Sequence, residues 1–126
     1  MMGMVSPRDL SEQLDANTIL ASVIHVNNEV GTVQNIKDLG RVIYLYNLAR
    51  EKSGDTSKVL YHVDACQSLN YFKIDMRSMH IDLLSFNSAK LYGPKGFAVL
   101  ATGSGPQLLP IITGGGQESG QRSGTE

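Results

Sequence analysis

Leu83-Leu84-Ser85-Phe86-Asn87-Ser88-Ala89-Lys90-Leu91-Tyr92-Gly93-Pro94-Lys95-Gly96 is the stretch that decides how this chain is read. The run Ile81–Phe86 has the composition of a buried strand, and it gives way to small residues and then one lysine. Gly93, Pro94 and Gly96 follow at once and prescribe a tight turn. Phe97–Ala101 is apolar again, and so short a connection predicts that it returns antiparallel beside the run before Lys90. A lysine at the carboxyl end of a buried strand stands where open α/β sheets place their ligands.

Two further strands are expected upstream. Asn17–Ile24 is β-branched and apolar with little alternation, the pattern of a central parallel strand covered on both faces. It ends in the polar cluster His25-Val26-Asn27-Asn28-Glu29. Lys58–Val63 is the next strand, and Asp64-Ala65-Cys66-Gln67 follows it. Between them lies the clearest helix. Asn35 caps it, Asp38 sits at its third position, and Ile36, Leu39, Val42, Ile43, Tyr46 and Ala49 recur at helical spacing. The unit is a β-helix-β crossover and predicts a parallel pair. Gly40 costs the helix about 1 kcal/mol relative to alanine, which places it where another element approaches closely. Ser6-Pro7-Arg8-Asp9 opens a shorter helix with Leu10 and Leu14 on one face, and Asp75–His80 reads as one or two helical turns. From Gly103 onward, through Thr113-Gly114-Gly115-Gly116-Gln117-Glu118, no periodicity is visible.

At 126 residues the chain fits one domain. Eleven basic against twelve acidic side chains create no field for a polyanion, so nucleic acid is not an expected partner. No apolar run reaches the ~18 residues of a membrane span, and no membrane partner is expected. The single cysteine excludes an internal disulfide and fits a reducing compartment. One full helix is too few to cover several parallel strands on both faces. The chain is therefore read as a fragment of a larger domain, or as one whose bare surface a partner chain covers.

Three of the strands end in polar groups: Asn28, then Asp64 with Gln67, then Lys90. Parallel neighbours bring those ends to one edge. The set suits pyridoxal phosphate, whose ring nitrogen needs a carboxylate partner to stay protonated and act as an electron sink. In that reading Lys90 holds the aldehyde as a Schiff base, Asp64 is the carboxylate, and Gln67 and Asn28 are neutral partners for the phenolic oxygen. Taken singly, the same residues read differently: Lys90 as a surface lysine, Asp64 as a turn cap, Gly114–Gly116 as a hinge or a phosphate cradle. His25, His62 and His80 fit no metal spacing and read as structural, and Cys66 reads as a small buried hydrophobe.

The motifs Asn27-Asn28-Glu29-Val30-Gly31, His62-Val63-Asp64-Ala65-Cys66-Gln67, Lys90-Leu91-Tyr92-Gly93-Pro94-Lys95-Gly96, Gly114-Gly115-Gly116-Gln117-Glu118 and Arg122-Ser123-Gly124-Thr125-Glu126 occur in the order seen in cysteine desulfurases. The chain resembles that family, pyridoxal-phosphate enzymes of the class V aminotransferase fold, from about Leu14 to Glu126. The resemblance implies an α/β fold, part of the large mixed, mostly parallel sheet domain of a fold-type I enzyme. Residues 1–126 are then a fragment of the cofactor-binding domain, with the N-terminal part and the C-terminal small domain, including the loop of the catalytic cysteine, outside it.

By the same resemblance Lys90 is the catalytic lysine, Asp64 pairs with the pyridine nitrogen, and Gln67 and Asn28 contact the phenolic oxygen, Asn28 also lying near substrate. Asn87 stands where the family has a phosphate-contacting serine, and Thr125 touches phosphate from the neighbouring subunit of a homodimer. The usual Ser-Gly-His-Lys is here Asn87-Ser88-Ala89-Lys90, so the imidazole that meets the phosphate is missing and Asn87 or Ser88 is the replacement donor. Cys66 is not the catalytic cysteine, since it lies inside the Asp-to-Gln motif. The implied reaction turns L-cysteine into L-alanine and leaves the sulfur on an enzyme cysteine as a persulfide, for a sulfur acceptor or scaffold protein of iron–sulfur cluster assembly. The implied compartment is the cytoplasm or an organelle of bacterial descent. Selenocysteine lyase and a non-catalytic dimerisation or binding remnant of the same fold are the alternatives.

Overall fold

A computed structural model describes residues 3–104 and 106–125. The first helix, α1, is Pro7–Gln13; Ser6 caps it by accepting from Asp9 N–H at 3.0 Å, with Pro7 in the first turn. The second, α2, is Ile36–Lys52, capped by Asn35, whose Oδ1 accepts from Asp38 N–H. Both helices begin where local side-chain chemistry supplies an acceptor for an otherwise orphaned amide.

The strands are β1 (Leu20–Ile24), β2 (Leu60–Asp64), β3 (Leu83–Asn87) and β4 (Ala98–Thr102). They form one sheet in the order β1-β2-β3-β4. The pairs β1–β2 and β2–β3 are parallel, whereas β4 returns antiparallel to β3, as the tight turn predicts. The sheet is thus mixed and mostly parallel, and the carboxyl ends of β1, β2 and β3 share one edge.

One face of the sheet is covered. Ile36, Leu39 and Ile43 from α2 pack on Tyr61, Val63 and Leu84, with Ile81, Val59 and Ala65 completing the core and Leu10 and Leu14 at its margin. Fully burying a side chain of this kind stabilises the fold by roughly 1.5–3 kcal/mol. Tyr61 is wholly buried, and its hydroxyl donates to the Ile36 carbonyl at 3.1 Å; burial pushes its ionisation well above the usual range. Gly40 sits where the sequence places a close approach. A Cβ built there would lie 2.1 Å from the Met79 carbonyl oxygen and 3.1 Å from the Tyr61 ring.

The structure corrects three expectations. Strand β1 begins at Leu20 rather than Asn17, because Asp15 closes a turn first, accepting from Asn17 N–H at 2.9 Å and from the Thr18 hydroxyl at 2.8 Å. Within the sheet of the described residues it lies at the edge, not in the centre, and Leu20 and Ile24 are 49% and 46% exposed. Residues 75–80 form turns instead of a helix. Asp75 Oδ1 accepts from the amides of Arg77 and Ser78, and His80 takes a left-handed φ of 56° that ends any helical course. The open face of the sheet carries Leu20, Ser22 and Ile24 of β1, Leu60, His62 and Asp64 of β2, Ser85 and Asn87 of β3, and Leu100 of β4.

Candidate functional site

Asp64 is the last residue of β2, and the ladder continues on both sides of it. His25 N–H donates to the Asp64 carbonyl at 2.9 Å, and Ala65 N–H to the Ser85 carbonyl at 2.8 Å. The Asp64 side chain is half-buried on the open face and accepts from the Cys66 amide at 2.9 Å. That bond fixes the carboxylate while leaving it capacity for further donors. Beside it lies the Cys66 thiol. Burial pushes its pKa up, the Asp64 carboxylate pushes it further, and Asn87 acts in the opposite direction. Cys66 is thus bonded to Asp64 through its amide and lies near Asn87, between the ends of β2 and β3.

Asn87, the last residue of β3, caps the short 3-10 turn Ser88–Lys90 by accepting from Lys90 N–H at 3.1 Å. Its amide nitrogen remains a donor. Ser88 is committed elsewhere: its hydroxyl donates to the carbonyls of Pro94 and Phe97 and so closes the loop on itself. Gly93 is required by that closure, since a Cβ there would lie 3.1 Å from Ser88 Cβ. The Lys90 carbonyl accepts from the Asn70 side chain, and the lysine itself is exposed. A rigid turn thus holds the Lys90 backbone three residues beyond Asn87.

The remaining predicted residues are less firmly tied. Asn28 is exposed in the turn after β1 and makes no hydrogen bond among the described residues; its neighbour Asn27 organises that turn, accepting from Glu29 and Val30 amides at 2.9 and 3.0 Å. Gln67 is half-buried in the turn after β2, likewise without a hydrogen bond among the described residues. Thr125 is exposed and makes no hydrogen bond to the strand-end residues. Its segment folds instead on the glycine triplet: Ser123 is buried, accepts from Gly115 N–H at 2.8 Å and donates to the Gly115 carbonyl at 3.0 Å.

Two features escape a reading of the sequence. His25, after β1, is 5% exposed against the Phe72 ring, with Nδ1 unpartnered, and burial lowers its pKa. Ser22, His62 and Ser85 form a chain of hydrogen bonds across β1, β2 and β3. The available signal was one polar residue inside each of three apolar runs. Among the described residues, no three His, Cys, Asp or Glu side chains gather as a metal site, and no helix is long and apolar enough to cross a membrane. Two clefts, of about 300 and 410 Å³, lie along α2 instead of at the strand ends; Tyr44 lines both, with Arg41 and His80 in one and Asn47 and Lys58 in the other.

Comparison with known proteins agrees with this architecture. The chain is 42% identical over 125 residues to the mitochondrial cysteine desulfurase of Candida albicans, covering 98% of this chain and 23% of that protein. It is 40% identical over 124 residues to the cysteine desulfurase IscS of Clostridium botulinum, of which it covers 28%. It therefore spans about a quarter of the length of these curated relatives. A solved structure of SspA in complex with cysteine superposes with a TM-score of 0.84 at 40% identity, over 98% of this chain and 33% of that one. The aminotransferase class-V family profile matches residues 1–124, and the chain belongs to that family.

Proposed function

We propose that this chain is the cofactor-gripping part of a pyridoxal-phosphate-dependent cysteine desulfurase. The observation that carries the reading is the meeting of Asp64, Cys66 and Asn87 at the carboxyl edge, with the Lys90 turn springing from the same strand end. The donor set fits the group. Asp64 offers a carboxylate with spare acceptor capacity, Asn87 an amide donor, and Lys90 an exposed amine on a fixed backbone.

When bound, the cofactor supplies a protonated pyridine ring that draws electrons from a substrate carbon. In this reading Asp64 holds the proton on the ring nitrogen, and Lys90 provides the amine that anchors the aldehyde. Gln67 and Asn28, both free of other hydrogen bonds among the described residues, face the phenolic oxygen. With Ala89 in place of an imidazole and Ser88 occupied by Pro94 and Phe97, Asn87 is the replacement phosphate donor. Thr125 is assigned to a second copy of the chain, in keeping with its exposure. Cys66 does not receive sulfur: its thiol, held protonated by burial and by Asp64, is a poor nucleophile. The overall reaction, L-cysteine to L-alanine with the sulfur passed to another cysteine as persulfide, is assigned to the whole enzyme, and residues 1–126 alone are expected to release no sulfide.

Titration with pyridoxal phosphate tests the reading. The wild-type chain should develop the visible band of lysine-bound cofactor, and Lys90→Ala should not. Absence of the band in the wild type, or the same band in Lys90→Ala, would overturn cofactor binding and leave a binding module of this fold.

A further inference from the structure

His25 directly follows β1, and its backbone is tied twice: its N–H donates to the Asp64 carbonyl at 2.9 Å, and its carbonyl accepts from Gln34 N–H at 2.8 Å. Between His25 and Gln34 the chain makes the turn that carries Asn28. Among the described residues, the hydrogen bonds of that turn close within it. Asn27 N–H donates to Thr32, Gly31 N–H donates to Asn27, and the Asn27 side chain accepts from Glu29 and Val30. His25 is therefore the joint that fastens the turn to β2. The alternation of β1 carries its ring, like Ala21 and Val23, onto the face that α2 covers. There it rests on the Phe72 ring, with centroids 5.0 Å apart at 55°. Phe72 is itself held. Its N–H donates to the carbonyl of Ser68, a fully buried residue whose amide and hydroxyl both donate to the Ala65 carbonyl. Gln67 belongs to that same turn, so one ring contact joins the turn of Asn28 to the turn of Gln67.

The seat suits a neutral ring. His25 is 5% exposed, and its Nδ1 is buried without a partner. Whichever nitrogen carries the proton of the neutral ring, the imidazolium has N–H on both. Charging thus puts a donor on Nδ1 that no acceptor among the described residues meets, and an unpaired buried charge is costly. No neighbouring charge offsets this: Asp64 lies on the open face, Asp38 of α2 is bonded to Asn35, and Glu29 and Lys73 are exposed. Burial alone lowers the His25 pKa below its ordinary 6.5. We propose that His25 is a positioning residue that works as a proton-operated latch: neutral, its ring docks on Phe72 and holds the Asn28 turn beside the Gln67 turn, and protonation undocks it. The latch is a property of the fold. Its service to the site rests on the cofactor reading above, in which Asn28 and Gln67 share the phenolic oxygen.

The docked state is fully present above pH 6.5 and is lost as pH falls through the lower value of the seated ring. Amide hydrogen exchange of the 126-residue chain, corrected for intrinsic rates, tests this without cofactor. From pH 6.5 downward, protection of the His25 and Gln34 amides should fall by up to about tenfold per pH unit, the slope of one proton taken up on opening, while amides inside β2 keep theirs. His25→Phe seats a ring that takes no proton, so the slope should vanish; His25→Leu, a second uncharged filling, should behave the same. Protection independent of pH in the wild type, the wild-type slope in these variants, or β2 amides falling in step would each overturn the latch. At neutral pH, His25→Ala empties the seat and should lower pyridoxal-phosphate affinity about fivefold, the size of one hydrogen bond from Asn28, whereas His25→Phe should keep it. Equal affinity of the Ala and Phe variants overturns the positioning role. A wild type that opens as expected but takes up no pyridoxal phosphate overturns the cofactor reading and leaves the latch standing.

Discussion

The Cys66 amide donates to Asp64 Oδ1 at 2.9 Å, so the chain turns back on the carboxylate directly after β2 and holds it at the sheet edge. The bond leaves the acid anchored by backbone, with no cation of its own among the described ion pairs. An anchored but unneutralised carboxylate is suited to a cationic ligand group, which leads to the first expectation. Asp64→Asn keeps the shape and the Cys66 contact but removes the charge. Removing one member of a buried charge pair costs about 3–5 kcal/mol. Pyridoxal-phosphate affinity, read from the visible band, should therefore fall by at least about a hundredfold. Equal affinity would exclude Asp64 as the pyridine partner.

The same contact governs the thiol. Burial and Asp64 hold Cys66 protonated, so its alkylation near neutral pH should be slower than that of a free cysteine. Asp64→Asn removes the carboxylate's share of that shift and should speed the reaction. Timed iodoacetamide labelling followed by mass spectrometry measures both. Faster labelling of the wild type than of the variant contradicts the arrangement.

Gly40→Ala weighs two opposed effects. Alanine favours the α2 helix by about 1 kcal/mol, but its Cβ would enter the space of the Met79 carbonyl. Overpacking against backbone costs about 1–3 kcal/mol or more, so the clash wins. Urea unfolding should show a lower midpoint at unchanged slope. A stabilised variant would mean that the 76–81 turn moves aside at little cost.

Acid should release one identifiable tie. Hydrogen bonds from Ser57, then from Arg50, hold the Asp55 carboxyl down at about 2, and Arg50 also pairs with it at 2.7 Å. A carboxyl depressed in the folded state contributes stability that is present above its ordinary value of 3.8 and is lost as pH falls through about 2. Melting wild type and Asp55→Asn across that window should show a wild-type advantage above pH 4 that shrinks toward pH 2. An advantage independent of pH would assign the tie to shape instead of charge.

The carboxyl edge was legible because a strand-helix-strand unit dictates parallel pairing, and parallel strands place their ends together. Helix starts were legible because Ser6 and Asn35 act within three residues of themselves. Gly40 was legible because an interior helix glycine needs a reason. What was not legible depends on neighbours. Nothing in an apolar run such as Ile19–Ile24 says whether a further strand lies beyond it, and among the described residues β1 is an edge. The Asn47 side chain, which pairs with both backbone groups of Val59 at 2.9 Å where the chain enters β2, reads as one more polar residue on a helix. The hydrogen-bond chain through His62 needs the register of three strands, which no single segment contains. Asp75 misled because it bonds the amides of Arg77 and Ser78 as a helix cap does, while His80, at a φ of 56°, stops the course within one turn.

Strands β3 and β4 run back from the Lys90 turn side by side and are matched over five register pairs, Leu83 with Thr102 through Asn87 with Ala98. Sliding the turn along the strand axis would carry both arms with it and break the pairing of β3 with β2, His62 with Leu83 through Asp64 with Ser85. The lysine is consequently geared to the sheet, not hung from a flexible tether. Any reach toward or retreat from a ligand falls to the four methylenes of its own side chain, which pivot on a stationary mount.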